Sequence, residues 1–496
     1  MKKIYRTATF LILLLGLSAC GNSWLDTKPK DSVPSDEIFD TYKSASVALT
    51  GMYDGLQGSS SRNSYYAARM FYYGDVRGQD MQARTNNMRS SSCYEMVYIV
   101  DNAPNMWDIP YNVIRRANRI IEAVDNNVIS DATPAQYNKL KSEALVVRAL
   151  VHFDLVRLYG QPYTKNNGES LGVPIVLTPS EHTSKPKRSS VAEVYTQVLK
   201  DLDDALDIGG LVDSKFYGYV NTWFAKGLKA RVLLYKGDYP GALPIAEDVI
   251  KNSPYPLWTN TEYVEGWNTS DKGRKEMLFE LINYNNSDWA DREGIAYLLN
   301  ELGYADLICT KSFLDIMESD PNDVRLGVLV APQKDKDLIK EFGDNKVFVN
   351  KLPTIPGTNE MRTNSLPIMR ISELYLIAAE SAAHIGNSTK AAQYLNDIVL
   401  RANPNATPIA AKDATVERIL LEKRKELVGE GQSFFDAMRT NQTIIRYNDA
   451  SDIGFHMPLR AESMKFDWDY FRTILPIPFG EMNTNTNLKG QQNPGY

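Results

Sequence analysis

The chain has 496 residues, 43% of them hydrophobic, and a formal net charge of −6. That length implies about three domains unless helical repeats merge them into one body. The acidic balance, with no long basic run, argues against a nucleic-acid partner. Aromatics are abundant at 28 Tyr, 16 Phe and 7 Trp; tyrosine at that level suits surface recognition, because its ring is apolar and its hydroxyl forms hydrogen bonds.

Lys2, Lys3 and Arg6 form a basic start, followed from Ala8 to Leu17 by an apolar stretch too short to remain in a bilayer as a helix. Leu17-Ser18-Ala19-Cys20 matches a bacterial lipobox, in which the thiol is acylated and cleavage leaves Cys20 first. A lipoprotein signal peptide is therefore expected over 1–19 and a mature body over 20–496, with a lipid anchor at Cys20 in place of a transmembrane segment. Cys93 and Cys309 then remain; they could pair, but their spacing does not demand it. His152, His182, His384 and His456 are scattered and neither CxxC nor HExxH occurs, so no metal or other cofactor is expected.

Asp40 to Tyr53 reads as the first helix. Gly55 to Ser92 is a long polar stretch dense in tyrosine, too aromatic for disorder and too long for an idle loop, and so a first candidate for ligand contact. Helical spacing resumes at Trp107, Tyr111, Ile114, Asn118 and Ile121, where Trp107 is either a packing or a stacking residue. Pro134 suits a first helical turn, and the helix it opens runs to Gly160, with His152 as a packing residue. Val191 to Leu206 is helical.

Val220 to Pro254 reads as a tetratricopeptide-type repeat, with Ala230, Gly237 and Ala242 at its small-residue and turn positions. Ala379, Gly386 and Ala391 reproduce the same spacing. Between the two, Trp258, Trp267, Tyr284, Trp289, Tyr297 and Tyr304 alternate with Asn, Asp and Ser, a mixture that can stack on sugar rings and bond to their hydroxyls.

The stretch from Pro367 to Arg439 carries apolar residues every three to four positions and reads as amphipathic helices, the first beginning just after Pro367. Its charges are expected to be structural. Arg370 and Glu373 lie about a turn apart, as do Arg418 and Glu422, so each pair can bond along a helix face. Glu422, Glu426 and Glu430 share one face and need cations, with Arg424, Arg439 and Arg370 as the expected donors. Paired carboxylates can also do acid–base chemistry, but at helical spacing they are far more often ion-pair partners.

Three segments in this order, PIMRISELYLIAAE, YLNDIVLRA and EKRKELVGEGQSFFDAMR, resemble the C-terminal signature of the SusD/RagB family. The Ser23–Pro29 segment after the lipobox, the EALVVRALVHFDLVRLYG helix and the tail from Ile474 to Tyr496 resemble it too, so the likeness spans nearly the whole chain. It implies a mostly α-helical, tetratricopeptide-type scaffold, with repeats at about 104–254 and 367–440, and a loop-rich ligand subdomain at about 55–103 and 255–366. It also implies a non-enzymatic outer-membrane lipoprotein that binds an oligosaccharide at the cell surface and passes it to a SusC-like TonB-dependent transporter; a RagB-like peptide-binding role is the alternative. Gly21-Asn22-Ser23-Trp24 lacks the acidic residues that often follow such a cysteine, so surface exposure rests on the resemblance. The Tyr65–Arg84 and Trp267–Tyr304 segments are expected to meet in one ligand site, with Tyr73, Trp107, Tyr284, Trp289 and Tyr297 as aromatic contacts and Asp75 and Arg77 as hydrogen-bonding ones.

Overall fold

Most long helices start where a short polar side chain can take up the unpaired amides of the first turn. In the computed structural model, which describes residues 37–58, 64–179, 184–215, 217–289 and 292–496, α1 (Tyr42–Gln57) opens on a Thr41–Ser44 capping box. Asn105 Oδ1 accepts from the first amides of α2 (Asp108–Asp125). α3 (Pro134–Tyr159) has a Thr133–Gln136 capping box with Pro134 in its first turn, and α4 (Val191–Ile208) a Ser190–Glu193 box. Asn221 caps α5 (Thr222–Lys236) and Asp238 caps α6 (Tyr239–Asn252). The lipobox and Cys20 lie outside the described residues.

Between α5 and α6, Gly237 takes a φ of 81°. Gly386, at 78°, makes the same left-handed turn between α7 (Ile371–His384) and α8 (Ser388–Ala402). Only glycine adopts that conformation without steric cost. Ala230, Ala242, Ala379 and Ala391 are all fully buried, and α6 packs on α7, joining the two hairpins into one stack. α3 lies between α2 and α4, and α7 also packs on α9 (Val416–Leu427). The last helix of the signature stretch is α10 (Ser433–Arg439). The fold is mostly helical, as repeat stacking requires.

The expected helix start after Pro367 is corrected. Leu366–Arg370 is a strand, and the helix begins at Ile371. β1 (Met81–Ala83) pairs antiparallel with β3 (Leu307–Cys309), and β2 (Met277–Leu281) with β4 (Leu366–Arg370). Every residue of β2 and β4 is buried, and pairing gives buried backbone groups the partners they need. Periodicity cannot separate a short, fully buried strand from a helix.

The described residues of the Gly55–Ser92 stretch, expected as a long loop, are likewise largely structured and interior. It holds the last turn of α1, a helix at Arg69–Asp75, β1, and a helix starting at Ser91. Gly74 packs so closely on Gly431 that a Cβ would lie 1.9 Å from the Gly431 carbonyl oxygen. Cys93 and Cys309 are free and buried. The C-terminal tail is pinned by side chains that reach its backbone: Arg77 donates to the Thr473 carbonyl, Arg188 to that of Gln491, and Asn493 in turn to that of Tyr159. Among the described residues no helix is long and apolar enough to cross a membrane.

Candidate functional site

Thr50, Tyr53, Asp54 and Gln57 recur along one face of α1 and form one wall of an open hollow of about 880 Å³, its mouth included. Tyr217 and Tyr219, from the connection between α4 and α5, form the second wall; Tyr284 and Asp288, just after β2, complete it. Gly218 has a φ of 78° between the two tyrosines. The Tyr217 ring lies over Gly273, where a Cβ would come within 2.0 Å of it. Tyr219 meets Tyr53 edge-on, with centroids 5.1 Å apart. The Tyr53 hydroxyl donates to Glu143 (2.6 Å) and accepts from the Val220 amide (3.1 Å).

Two large rings stand open here: Tyr284 is 67% and Tyr217 43% exposed. Gln57 donates to Asn283 Oδ1 at 2.8 Å, yet its own Oε1 is buried without a partner. Such an arrangement can stack on an apolar ring face and accept hydrogen bonds from hydroxyls.

Of the seven residues expected to contact ligand, only Tyr284 lines this hollow. Tyr73 is wholly buried against Tyr72. Asp75 accepts from the Gly431 amide at 2.8 Å, and burial pushes its carboxyl well above the ordinary range. Arg77 lies 3.9 Å over the Phe434 ring and donates to the Tyr73 carbonyl. Trp289 is 8% exposed with its indole N–H unpaired, and Tyr297 is buried with its hydroxyl donating to Glu360. Trp107 is buried edge-on against Tyr159, on the wall of a second hollow that it shares with Tyr111 and Glu481. Tyr73, Asp75 and Arg77 therefore present no open surface: their segment is drawn inward by β1–β3 pairing and by contact with the Gly429–Gly431 turn. Tyr217 and Tyr219 escaped notice, although an aromatic–Gly–aromatic run between two helices is a usable signal.

The charged residues of the signature stretch form a buried network, with some of the expected partners and several others. Arg370 does not pair with Glu373; it forks onto Glu430 (2.8 and 2.9 Å) and reaches Glu276 (2.7 Å) and Glu426 (3.1 Å). Glu373 instead holds Arg231, from α5. Arg424 binds Asp80, and Arg439 binds Glu380 and Asp436, so neither neutralises the Glu422–Glu430 face. Arg325 serves Glu422 and Glu426, Arg401 serves Glu426, and Lys351 serves Glu430; Arg418 does pair with Glu422 at 2.7 Å. Arg370 thus supplies a cation to this face as expected, whereas the Arg370–Glu373 pair and the roles of Arg424 and Arg439 are corrected: Arg370 ends strand β4, outside the helix that carries Glu373, and Arg424 and Arg439 point into other layers. Burial alone would raise the Glu426 carboxyl, but Arg401, Arg370 and Arg325 outweigh it and hold the group far below its ordinary range. A carboxylate so held cannot act as a general acid near neutrality. His152 is packed between the Arg148 carbonyl and the Val176 amide, and burial, with help from Arg148, pushes it down to about 3. Among the described residues no three His, Cys, Asp or Glu side chains gather in a way that could hold a metal.

A helical-repeat scaffold bearing an open aromatic hollow is the architecture of a binding protein. Comparison with known proteins agrees. Residues 265–496 match the model described as the SusD family, and 23–234 one described as starch-binding associating with outer membrane. A SusD superfamily protein from Bacteroides thetaiotaomicron is 36% identical, with 92% of this chain aligned to 100% of that one at a TM-score of 0.84. SusD-like protein P38 of Formosa agariphila is 25% identical over 90% of this chain and 93% of its own length. Surface glycan-binding protein A of Bacteroides thetaiotaomicron, solved in complex with laminarihexaose, shares the fold at a TM-score of 0.71 and 20% identity, over 91% of this chain and 99% of that one. The chain belongs to the SusD family.

Proposed function

We propose that this chain captures an oligosaccharide at the bacterial surface, held in the outer membrane by a lipid on Cys20, and hands it to a SusC-like TonB-dependent transporter. The hollow between α1 and the Tyr217 and Tyr284 segments is the capture site. The exposure of the Tyr284 ring, at 67%, beside that of Tyr217 carries this reading. Large rings left open to water at a groove lined by hydrogen-bonding groups suit stacking on sugar faces, with orientation set by hydroxyl contacts. The laminarihexaose complex of the fold relative supports a carbohydrate over other small ligands.

Calorimetry against an oligosaccharide and peptide panel tests it. One glycan should bind, and Tyr284→Ala and Tyr217→Ala should each weaken it more than tenfold, about 1.4 kcal/mol or more, without lowering thermal stability. A panel in which only peptides bind would favour the RagB-like alternative, and a glycan whose affinity ignores both tyrosines would place the site elsewhere.

A further inference from the structure

We propose that the hollow selects uncharged, hydroxyl-rich glycans and turns away uronates and sulfated chains; this rests on the hollow being the glycan site. The argument is from the polarity of its lining. Asp54 is exposed on α1, one turn before the buried, unpartnered Oε1 of Gln57. Asp288 uses Oδ2 to accept the amides of Tyr284 and Asn285, leaving Oδ1 facing no donor among the described residues. The lining thus offers two carboxylates as acceptors, and its only aromatic polar groups are tyrosine hydroxyls.

No Lys or Arg is among the described lining residues. Lys272 is near enough to Asp288 to interact with it, but its ammonium is bound to the carbonyls of Thr269 and Thr363. Lys215, two residues before Tyr217, lies over the Tyr255 ring. A neutral sugar brings hydroxyl donors to these acceptors and apolar ring faces to Tyr284 and Tyr217. A uronate or sulfate ester brings a second negative charge into a groove that already has two, and loses the donor that its neutral counterpart would supply. Like charges with no cation among the described lining residues oppose binding.

The experiment uses the full mature chain and two ligand sets: neutral oligosaccharides, and oligouronides compared with the same oligomers after reduction of their carboxylates to alcohols. The expected result is that neutral ligands bind in a Tyr284-dependent way and that each uronide binds at least tenfold more weakly than its reduced form. The Asp54→Asn/Asp288→Asn double variant, which keeps the loop-capping acceptor, should narrow the ratio between neutral and uronide affinities; a ratio unchanged in the variant overturns the role of the two carboxylates. A uronide or sulfated glycan that binds through Tyr284 as tightly as its neutral form overturns the selectivity and leaves the site intact. Absence of any Tyr284-dependent glycan binding instead overturns the site itself, and the selectivity with it.

Discussion

Asp288 pins the turn that presents Tyr284: its Oδ2 accepts the Tyr284 amide at 2.5 Å and the Asn285 amide at 3.0 Å. A ring that is 67% exposed gains little rigidity from its own packing, so the carboxylate four residues on supplies the order. Holding such a ring in place before ligand arrives reduces the entropy lost on binding.

Asp288→Ala, which removes both amide bonds, is therefore expected to weaken glycan binding several-fold, about 1 kcal/mol from the lost ordering of the Tyr284 turn, with little change in thermal stability. Asp288→Asn, which can still accept the two amides, should bind neutral glycans nearly as the native protein does. Titration calorimetry on both variants checks this.

Glu426 is wholly buried among Arg370, Arg401 and Arg325. Glu426→Gln removes the charge that three guanidiniums share and should cost ~3–5 kcal/mol, the range for breaking a buried pair. The sign with pH follows from the lowered carboxyl. Its stabilisation is complete above the ordinary value of 4.5 and is lost as pH falls toward the lower folded value. Thermal melts from pH 7 to 3 should show the native protein losing stability below about 4.5, and the variant, already destabilised, losing less.

Glu143 shifts the other way. Burial raises it from 4.5 to about 7, against the lowering effects of the Tyr53 hydroxyl and Lys139. Its contribution is fully present below 4.5 and is lost as pH rises through 7. Glu143→Gln stays neutral throughout and can still accept from Tyr53. Its stability relative to the native protein should rise by about 3 kcal/mol between pH 4 and pH 8, read from denaturant midpoints. A flat difference across that range would rule the shift out.

Gly74→Ala puts a methyl group 1.9 Å from the Gly431 carbonyl oxygen. Backbone on both sides leaves no flexible side chain to yield, so at least ~2 kcal/mol of stability should be lost. A circular dichroism melt is sufficient to see it.

Cys20→Ala should abolish acylation and move the protein out of the membrane fraction, because the lipobox is the only membrane signal in the sequence. Metabolic labelling with a fatty acid and fractionation read this directly; a variant still acylated and membrane-bound would remove Cys20 as the anchor.

Helix starts and hairpin turns could be read from the chain alone, because their causes lie within a few residues. Thr133 with Gln136, Ser190 with Glu193, and the matched Ala–Gly–Ala spacings at 230–242 and 379–391 all act locally. The residue types of the ion network were legible for the same reason. Which charge meets which was not, since Arg370 reaches Glu430 across 60 residues and Arg231 reaches Glu373 across 142. Exposure was equally hidden. Tyr73 and Tyr284 sit in similar tyrosine-rich surroundings in sequence, yet one is fully buried and the other is the most exposed large ring described. Pairing between β1 and β3 draws the first inward, while the Asp288 turn holds the second out. Periodicity sets which face of an element is apolar, but what covers that face comes from distant segments, and only the packed chain decides it.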